Sequence, residues 1–230
     1  MRLFYGQVLP HVEIFPEEQQ HLVKVLRIKQ GEEVFVTDGN GNLAKGLVGF
    51  EGKKVRIEVL EIKTGLANFP QKIHLAIAPT KNIDRIEFFT EKATEMGVSE
   101  ITFLSTEKTE RKNLNFERLV KQAVAASKQS LRFHFPKINP LISLSEFVST
   151  CDPSSTYVAH CDPNFTRLEL KNLPTLERQT FLIGPEGDFS PKEIENLIQK
   201  GIRAVSLGPQ RLRTETAGVF LAAWKYNQFF

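Results

Sequence analysis

Near its C-terminus the sequence uses one device twice. FLIGPEGDFSPKE, from Phe181, and VSLGPQRLRTETAG, from Val205, each run a short apolar stretch (Phe181 to Ile183, Ala204 to Leu207) into a Gly-Pro turn with a helix-forming segment behind it. Ser190, Pro191 and Glu193 have the spacing of an N-cap, a first helical residue and a capping-box partner, so a helix starts near Pro191, and Gly201 suits the left-handed position that closes it. Gly184, Pro185 and Gly187 supply tight bends and let bare backbone approach a ligand. The second unit adds Leu212-Arg213-Thr214-Glu215-Thr216-Ala217, a dense polar cluster opening a strongly apolar final helix. Charge and hydroxyls crowded at a helix start, beside a second glycine turn, mark a candidate site.

The rest of the chain divides into two patterns. Residues 1–68 read as a small β-rich unit. An amphipathic segment from Pro16 to Leu26 precedes the strand-like runs EEVFVTD, NLAKGLVGF and KKVRIEVLEI, and Asp38-Gly39-Asn40-Gly41 forms a hairpin turn; a small barrel closes such a sheet. GNGNLA at Gly39 matches a dinucleotide fingerprint in letters only, because a strand follows where that motif needs a helix. Gly65 to Pro70 reads as a linker, and over 71–230 strands alternate with helices. IHLAIAP is a buried strand. In the segment after it Ile83, Ile86, Phe89, Ala93 and Met96 keep helical spacing until Gly97. ITFLS, a helix from Asn115 to Gln129, a turn at RFHFPKINP, the strand TYVAHC and the two C-terminal units complete an α/β domain with a mainly parallel sheet covered on both faces.

A length of 230 residues with 41% hydrophobic and 25% charged side chains suits a soluble protein with one large or two small cores. No apolar run approaches the length of a membrane span and the N-terminal segment has no secretory pattern, so the expected location is the cytoplasm. Cys151 and Cys161 are too few for a disulfide framework or a zinc site, even with His160 adjacent, so no metal is expected. Charge is uneven: Glu107 to Pro140 carries eight Lys or Arg against three Glu, Lys200 to the end five against one, and the stretch between them four against nine. Two basic regions flanking an acidic one suit a polyanion-binding face, although solvated helix faces would give the same count.

Four blocks, HLVKVLRIKQGE, IEFFTEKATEMGV, AASKQSLR and IGPEGDFSPKE with LGPQRLRTETA, resemble in order and over nearly the whole chain the RsmE family, the 16S rRNA uridine-N3 methyltransferases of the SPOUT superfamily. The resemblance implies a PUA-like barrel over 1–68 and, over 71–230, a SPOUT domain with a trefoil knot, which breaks the rule that chains do not thread themselves. It implies a homodimer, S-adenosylmethionine as cofactor, and 16S rRNA, within the assembled 30S subunit, as partner. Carried over by position, the cofactor loops are His160 and Cys161 up to Asp162; Ile183, Gly184, Pro185, Glu186 and Gly187; and Leu207 with Gly208 through Leu212, Arg213, Thr214, Thr216 and Ala217. The RNA contacts are Arg27, Lys108, Arg111, Lys112, Lys128, Gln129 and Arg132, of which the arginines can clamp phosphate and stack on a base. The chain departs from the family at Asp188, where glycine is usual, and at Lys128-Gln129-Ser130, where Glu-Gln-Ser is common.

Methylating N3 requires in-line placement of an activated methyl, and removal of a proton or stabilisation of the charge that develops on the ring oxygens. Arg132 and Arg213 are the candidates for that stabilisation, and Glu186 or Glu215 for the proton acceptor, although either carboxylate can equally orient a loop and Glu215 can cap the last helix. Trp224 and Phe220 read as core or dimer surface. Two alternatives stay open: a knotted enzyme acting on tRNA or on a ribose 2'-hydroxyl, and a non-enzymatic RNA-binding assembly factor.

Overall fold

The structure, a computed structural model, describes residues 1–52 and 54–229. They form two compact units, Met1–Asn68 with Val124–Phe135, and Phe69–Ala123 with Pro136 onward.

In the first unit, β1 (Leu3–Gln7), β2 (Glu13–Ile14), β3 (Glu33–Thr37), β4 (Leu43–Glu51) and β5 (Lys54–Lys63) form a sheet in the order β2-β1-β3-β4-β5. Only the β1–β3 pair is parallel. Alternation puts Val34, Val36, Ala44 and Val48 inside with Phe4, Ile14 and Val55, as a period of two requires. The sheet nearly closes on itself: Lys54 Nζ in β5 lies 3.0 Å from the Glu13 carboxylate in β2, and Val55 N donates to Gln19 Oε1 at 3.3 Å. Helix α1 (Pro16–Gln20) winds on as a wider π-type turn over His21–Val25. The hairpin at Asp38 forms as the sequence predicts, with Asp38 Oδ1 accepting from Asn40 N at 2.8 Å and glycines 39 and 41 at φ +72° and +86°.

The second unit contains β6 (Lys72–Ile77), α2 (Ile83–Glu95), β7 (Glu100–Ser105), the first turns of α3 (Phe116–Gln129), β8 (Lys137–Ser143), α4 (Leu144–Thr150), β9 (Thr156–Ala159), β10 (Leu168–Glu169), β11 (Arg178–Ile183), α5 (Pro191–Gln199), β12 (Arg203–Ser206) and α6 (Thr214–Tyr226). Its seven strands are all parallel, in the order β10-β12-β9-β11-β6-β7-β8. Adjacent residues face opposite layers. Ile73, Leu75, Ile77, Phe181 and Ile183 meet Ile86 and Phe89 of α2 and Leu221 of α6, whereas Ala76, Leu182 and Val158 meet Phe147 of α4 and Ile194 and Leu197 of α5. Trp224 packs edge-on against Phe181, with ring centroids 5.8 Å apart, so it belongs to this core. The α5 capping box is present, with Ser190 Oγ accepting from Glu193 N and Glu193 Oε2 from Ser190 N, and Gly201 closes the helix at φ +86°.

The stretch RFHFPKINP, expected as a turn, instead leads into β8, followed by α4. A proline cannot donate to a ladder and is found in strands only at edges or bulges. Here β8 is the edge of the sheet, and its pairing with β7 slips at Thr102/Phe103 so that Pro140 has no partner in the register. The two-residue β10 was also unforeseen.

Candidate active site

Strands β12, β9 and β11 are neighbours, so the loops leaving their C-terminal ends meet at one edge of the sheet, where open α/β folds bind ligands. These loops are 160–163, 184–189 and 207–213, and together they wall a cavity of about 790 Å³, within the usual range for small-molecule sites. Ile183, Gly184, Pro185, Gly187, Leu207, Gly208, Leu212, Thr214 and Ala217 all line it, with His160, Cys161, Glu186 and Arg213. Thr216 does not; it is exposed on α6. The glycines are used sterically: a Cβ on Gly184 would stand 3.0 Å from Phe189 N, and Gly208 adopts φ +136°. Buried Thr214 donates its hydroxyl to Gly184 O at 3.0 Å, fastening the start of α6 to the Gly-Pro turn after β11.

His160 is 5% exposed. Its Nδ1 accepts from Asp162 N at 3.2 Å, which leaves the ring proton on Nε2, and its carbonyl accepts from Arg167 at 2.9 Å. Burial pulls its pKa below the ordinary 6.5, opposed chiefly by the Asp188 carboxylate and reinforced by Arg167. The imidazole at this wall is therefore neutral at pH 7.

The candidate acids and bases separate. Glu186 lines the cavity, and its Oε1 accepts from Lys81 N at 3.0 Å. Glu215 lies buried in the first turn of α6, its Oε1 3.6 Å from Arg85 Nε, while its Oε2 finds no hydrogen-bond partner. Arg213 is the N-cap residue of α6, exposed at the cavity, and among the described residues neither its side chain nor that of Arg211 has a hydrogen-bond or ion-pair partner. Arg132 belongs to the first unit, half-buried, with Nη2 3.5 Å from Asn68 Oδ1.

Of the residues expected at RNA, Lys108 lines the cavity and donates to Gly187 O at 2.8 Å and Phe189 O at 3.3 Å. Arg111 donates to Thr80 O at 3.1 Å and to Lys81 O. Both cations thus brace backbone carbonyls of their own unit. Lys112 and Gln129 are exposed. Lys128 is partly buried, 2.5 Å from the Glu18 carboxylate within the first unit. Arg27 is exposed at φ +49° just after the π-type turn.

Sequence reading missed Arg85, Arg167 and Phe189 as cavity residues. Arg85 is four residues from Phe89 on an amphipathic helix and looks like an ordinary polar-face residue; only the packing of α2 beside α6 carries it to the cavity. Arg211 lies within the loop expected from Leu207 to Ala217 and lines the cavity. Among the described residues, no group of His, Cys, Asp and Glu is arranged to hold a metal, and no helix is long and apolar enough to cross a membrane.

A parallel sheet with this cavity, in a chain that also carries a nearly closed barrel-like sheet, defines a class: residues 67–225 match the RNA methyltransferase domain family, and residues 16–60 the RNA methyltransferase PUA domain. The chain belongs to the RsmE family of RNA methyltransferases. It is 30% identical to the Ribosomal RNA small subunit methyltransferase E of Aquifex aeolicus, over 99% of this chain and all of that one. A probable rRNA-methyltransferase from Porphyromonas gingivalis superposes with a TM-score of 0.89 at 33% identity, covering 99% and 98% of the two chains. A putative methyltransferase from Legionella pneumophila, solved with bound S-adenosylmethionine, gives 0.86 at 29% identity over 98% and 97%.

Proposed function

We propose that this protein transfers a methyl group from S-adenosylmethionine to N3 of a uridine in 16S rRNA, acting in the cytoplasm as a homodimer on the 30S particle. The observation that carries the reading is the cavity at the C-terminal edge of β12, β9 and β11, in a chain whose full-length relatives include a small-subunit rRNA methyltransferase and a neighbour holding S-adenosylmethionine.

The residues present fit that cofactor. The turns at Gly184, Gly187 and Gly208 bring backbone without side chains to the cavity wall, where an adenine edge can approach it, and Leu207, Leu212 and Ala217 supply apolar wall. When bound, the cofactor supplies an activated methyl, so what remains for the protein is mostly placement. Arg213, the N-cap residue of α6, with no competing partner among the described residues, stabilises the negative charge that develops on the uridine ring oxygens, and Arg132, contributed by the second copy of the homodimer, is the other candidate for that role. Glu186, already holding Lys81 N, and Glu215, facing Arg85, are the carboxylates able to accept the N3 proton. Arg27, Lys112 and Gln129 are the exposed members of the proposed RNA contacts, and Lys108, Arg111 and Lys128 support the surfaces that present them. The barrel with residues 124–135 is the RNA-binding unit. The threaded knot is consistent with a chain that leaves β11, passes β9 to reach β12, and returns as α6 to pack on α2 and β6.

Calorimetry and transfer assays on Arg132→Ala and Arg213→Ala test the division of labour. Both variants are expected to keep S-adenosylmethionine binding within about threefold and to lose methyl transfer by roughly a hundredfold or more; normal turnover in both contradicts it.

A further inference from the structure

Three non-glycine residues among those described hold a positive φ, and Asp188, at +60°, is the one in the cavity wall. A left-handed backbone costs most residues with a Cβ, and Asp adopts it where its short side chain finds hydrogen bonds close by. Glycine would take this turn more easily still, and what the Asp188 side chain adds is two hydrogen bonds that glycine cannot make.

The side chain does not cap α5, because Ser190 and Glu193 already do so. Asp188 N closes the turn on Pro185 O at 2.9 Å, Oδ1 accepts from Phe189 N at 2.8 Å, and Oδ2 accepts from Cys161 N at 2.7 Å. Phe189 is buried in the core beneath, whereas Cys161 is exposed at the start of the loop after β9. The carboxylate therefore joins the loops that follow two adjacent strands. The other braces on the 184–189 loop come from Lys108, from Lys81 N through Glu186, and from Thr214. None of them reaches the loop after β9.

We propose that Asp188 is a positioning residue of the cofactor cavity, a latch whose carboxylate fixes the loop starting at Cys161 against the Gly184–Phe189 turn so that both present their backbone groups in register. The proposal rests on the cofactor reading above only for its effect on S-adenosylmethionine. The latch itself lies in the protein alone. With the latch removed, β9, β11 and α5 keep their pairing and caps, so the loss falls on loop order and affinity rather than on the fold.

The test compares wild type, Asp188→Gly and Asp188→Asn by amide hydrogen exchange of the unliganded proteins and by calorimetry with S-adenosylmethionine. Asp188→Gly relieves the strain and is expected to exchange the Cys161 amide roughly tenfold faster while the buried Phe181 amide stays as slow as in wild type, and to bind S-adenosylmethionine about tenfold more weakly. Asp188→Asn, which tolerates the left-handed turn and keeps one acceptor oxygen, is expected to lie between the two. Unchanged Cys161 exchange, equal acceleration at Cys161 and Phe181, or wild-type affinity in Asp188→Gly each overturns the latch. Absence of S-adenosylmethionine binding by wild type overturns the cofactor reading instead, and the Cys161 exchange then decides the latch alone.

Discussion

His74, at the start of the sheet away from the cavity, is 5% exposed, and its environment specifies a neutral ring. Nε2 lies 2.8 Å from Thr102 Oγ1, and Arg178 Nη2 points at Nδ1 from 3.5 Å, so Nδ1 accepts. Burial, helped by Arg178 and Lys137 and opposed by Glu100, lowers the pKa from 6.5 to about 4. A ring that resists protonation only when folded stabilises the protein fully above pH 6.5, and that contribution fades as pH falls from 6.5 toward 4, by up to about 3 kcal/mol. Urea titrations across this range should show the decline in wild type and a flatter curve in His74→Gln; parallel curves would contradict the assignment. Lys225 makes the opposite case. It is fully buried with Nζ on Gln179 Oε1 at 2.7 Å, and burial lowers its pKa. Among the described residues the ammonium has one amide oxygen and the Trp224 ring, 5.8 Å to its centroid, as partners and no carboxylate, which makes its burial costly, so Lys225→Met should leave stability unchanged or raise it by about 1–3 kcal/mol in the same titration. These two sites were not legible in the sequence. IHLAIA and AAWKY read as an apolar strand and an apolar helix, and only the packing that brings His74 to Thr102 and Lys225 to Gln179 gives their polar members a purpose.

At the scale of elements, α6 lies on α2 at a distance that one hydrogen atom decides. A Cβ on Gly218 would stand 2.4 Å from the Phe89 ring and 3.3 Å from Ile77 Cδ1. Alanine gains nearly 1 kcal/mol of helix propensity, but overpacking a filled core costs about 1–3. Gly218→Ala should therefore be destabilising, and pairing it with Phe89→Leu should recover part of the loss; a stabilised single variant would show that the two helices slide apart freely. Ser190→Ala should cost about 1 kcal/mol through the lost cap of α5. Here the sequence was most informative. The capping box, the closing glycines at 97 and 201 and the hairpin at Asp38 are short-range chemistry, fixed by residues within a few positions of one another. Strand β8 was hidden because a proline is tolerated only at an edge, and edge position is a property of the assembled sheet. The cavity loops were visible as glycine turns, but that three of them meet depends on β12, β9 and β11 being neighbours, which no local pattern encodes. The Asp188 contact to Cys161 N spans 27 residues and was equally invisible.

At the scale of the whole molecule, the homodimer proposed above needs an apolar face, and α2 and α6 leave Phe88 and Phe220 at 50% and 39% exposure. Phe88→Asp with Phe220→Asp should convert a dimer to a monomer in light scattering, and a persisting dimer would move the interface elsewhere. Such a variant also shows whether transfer needs both copies. The resemblance in the GPEG and LRTETA blocks led to the family, and the cavity gives those residues a shared place in the fold. The nucleotide remains the larger claim, and it is tested most directly by methyl transfer from labelled S-adenosylmethionine to purified 30S subunits, naked 16S rRNA and bulk tRNA, each from cells lacking this protein, followed by nucleoside analysis. The account predicts label in 3-methyluridine from the ribosomal substrates, with the 30S particle preferred. Label confined to tRNA or to a ribose-methylated nucleoside, or no transfer to any of the three, would contradict it.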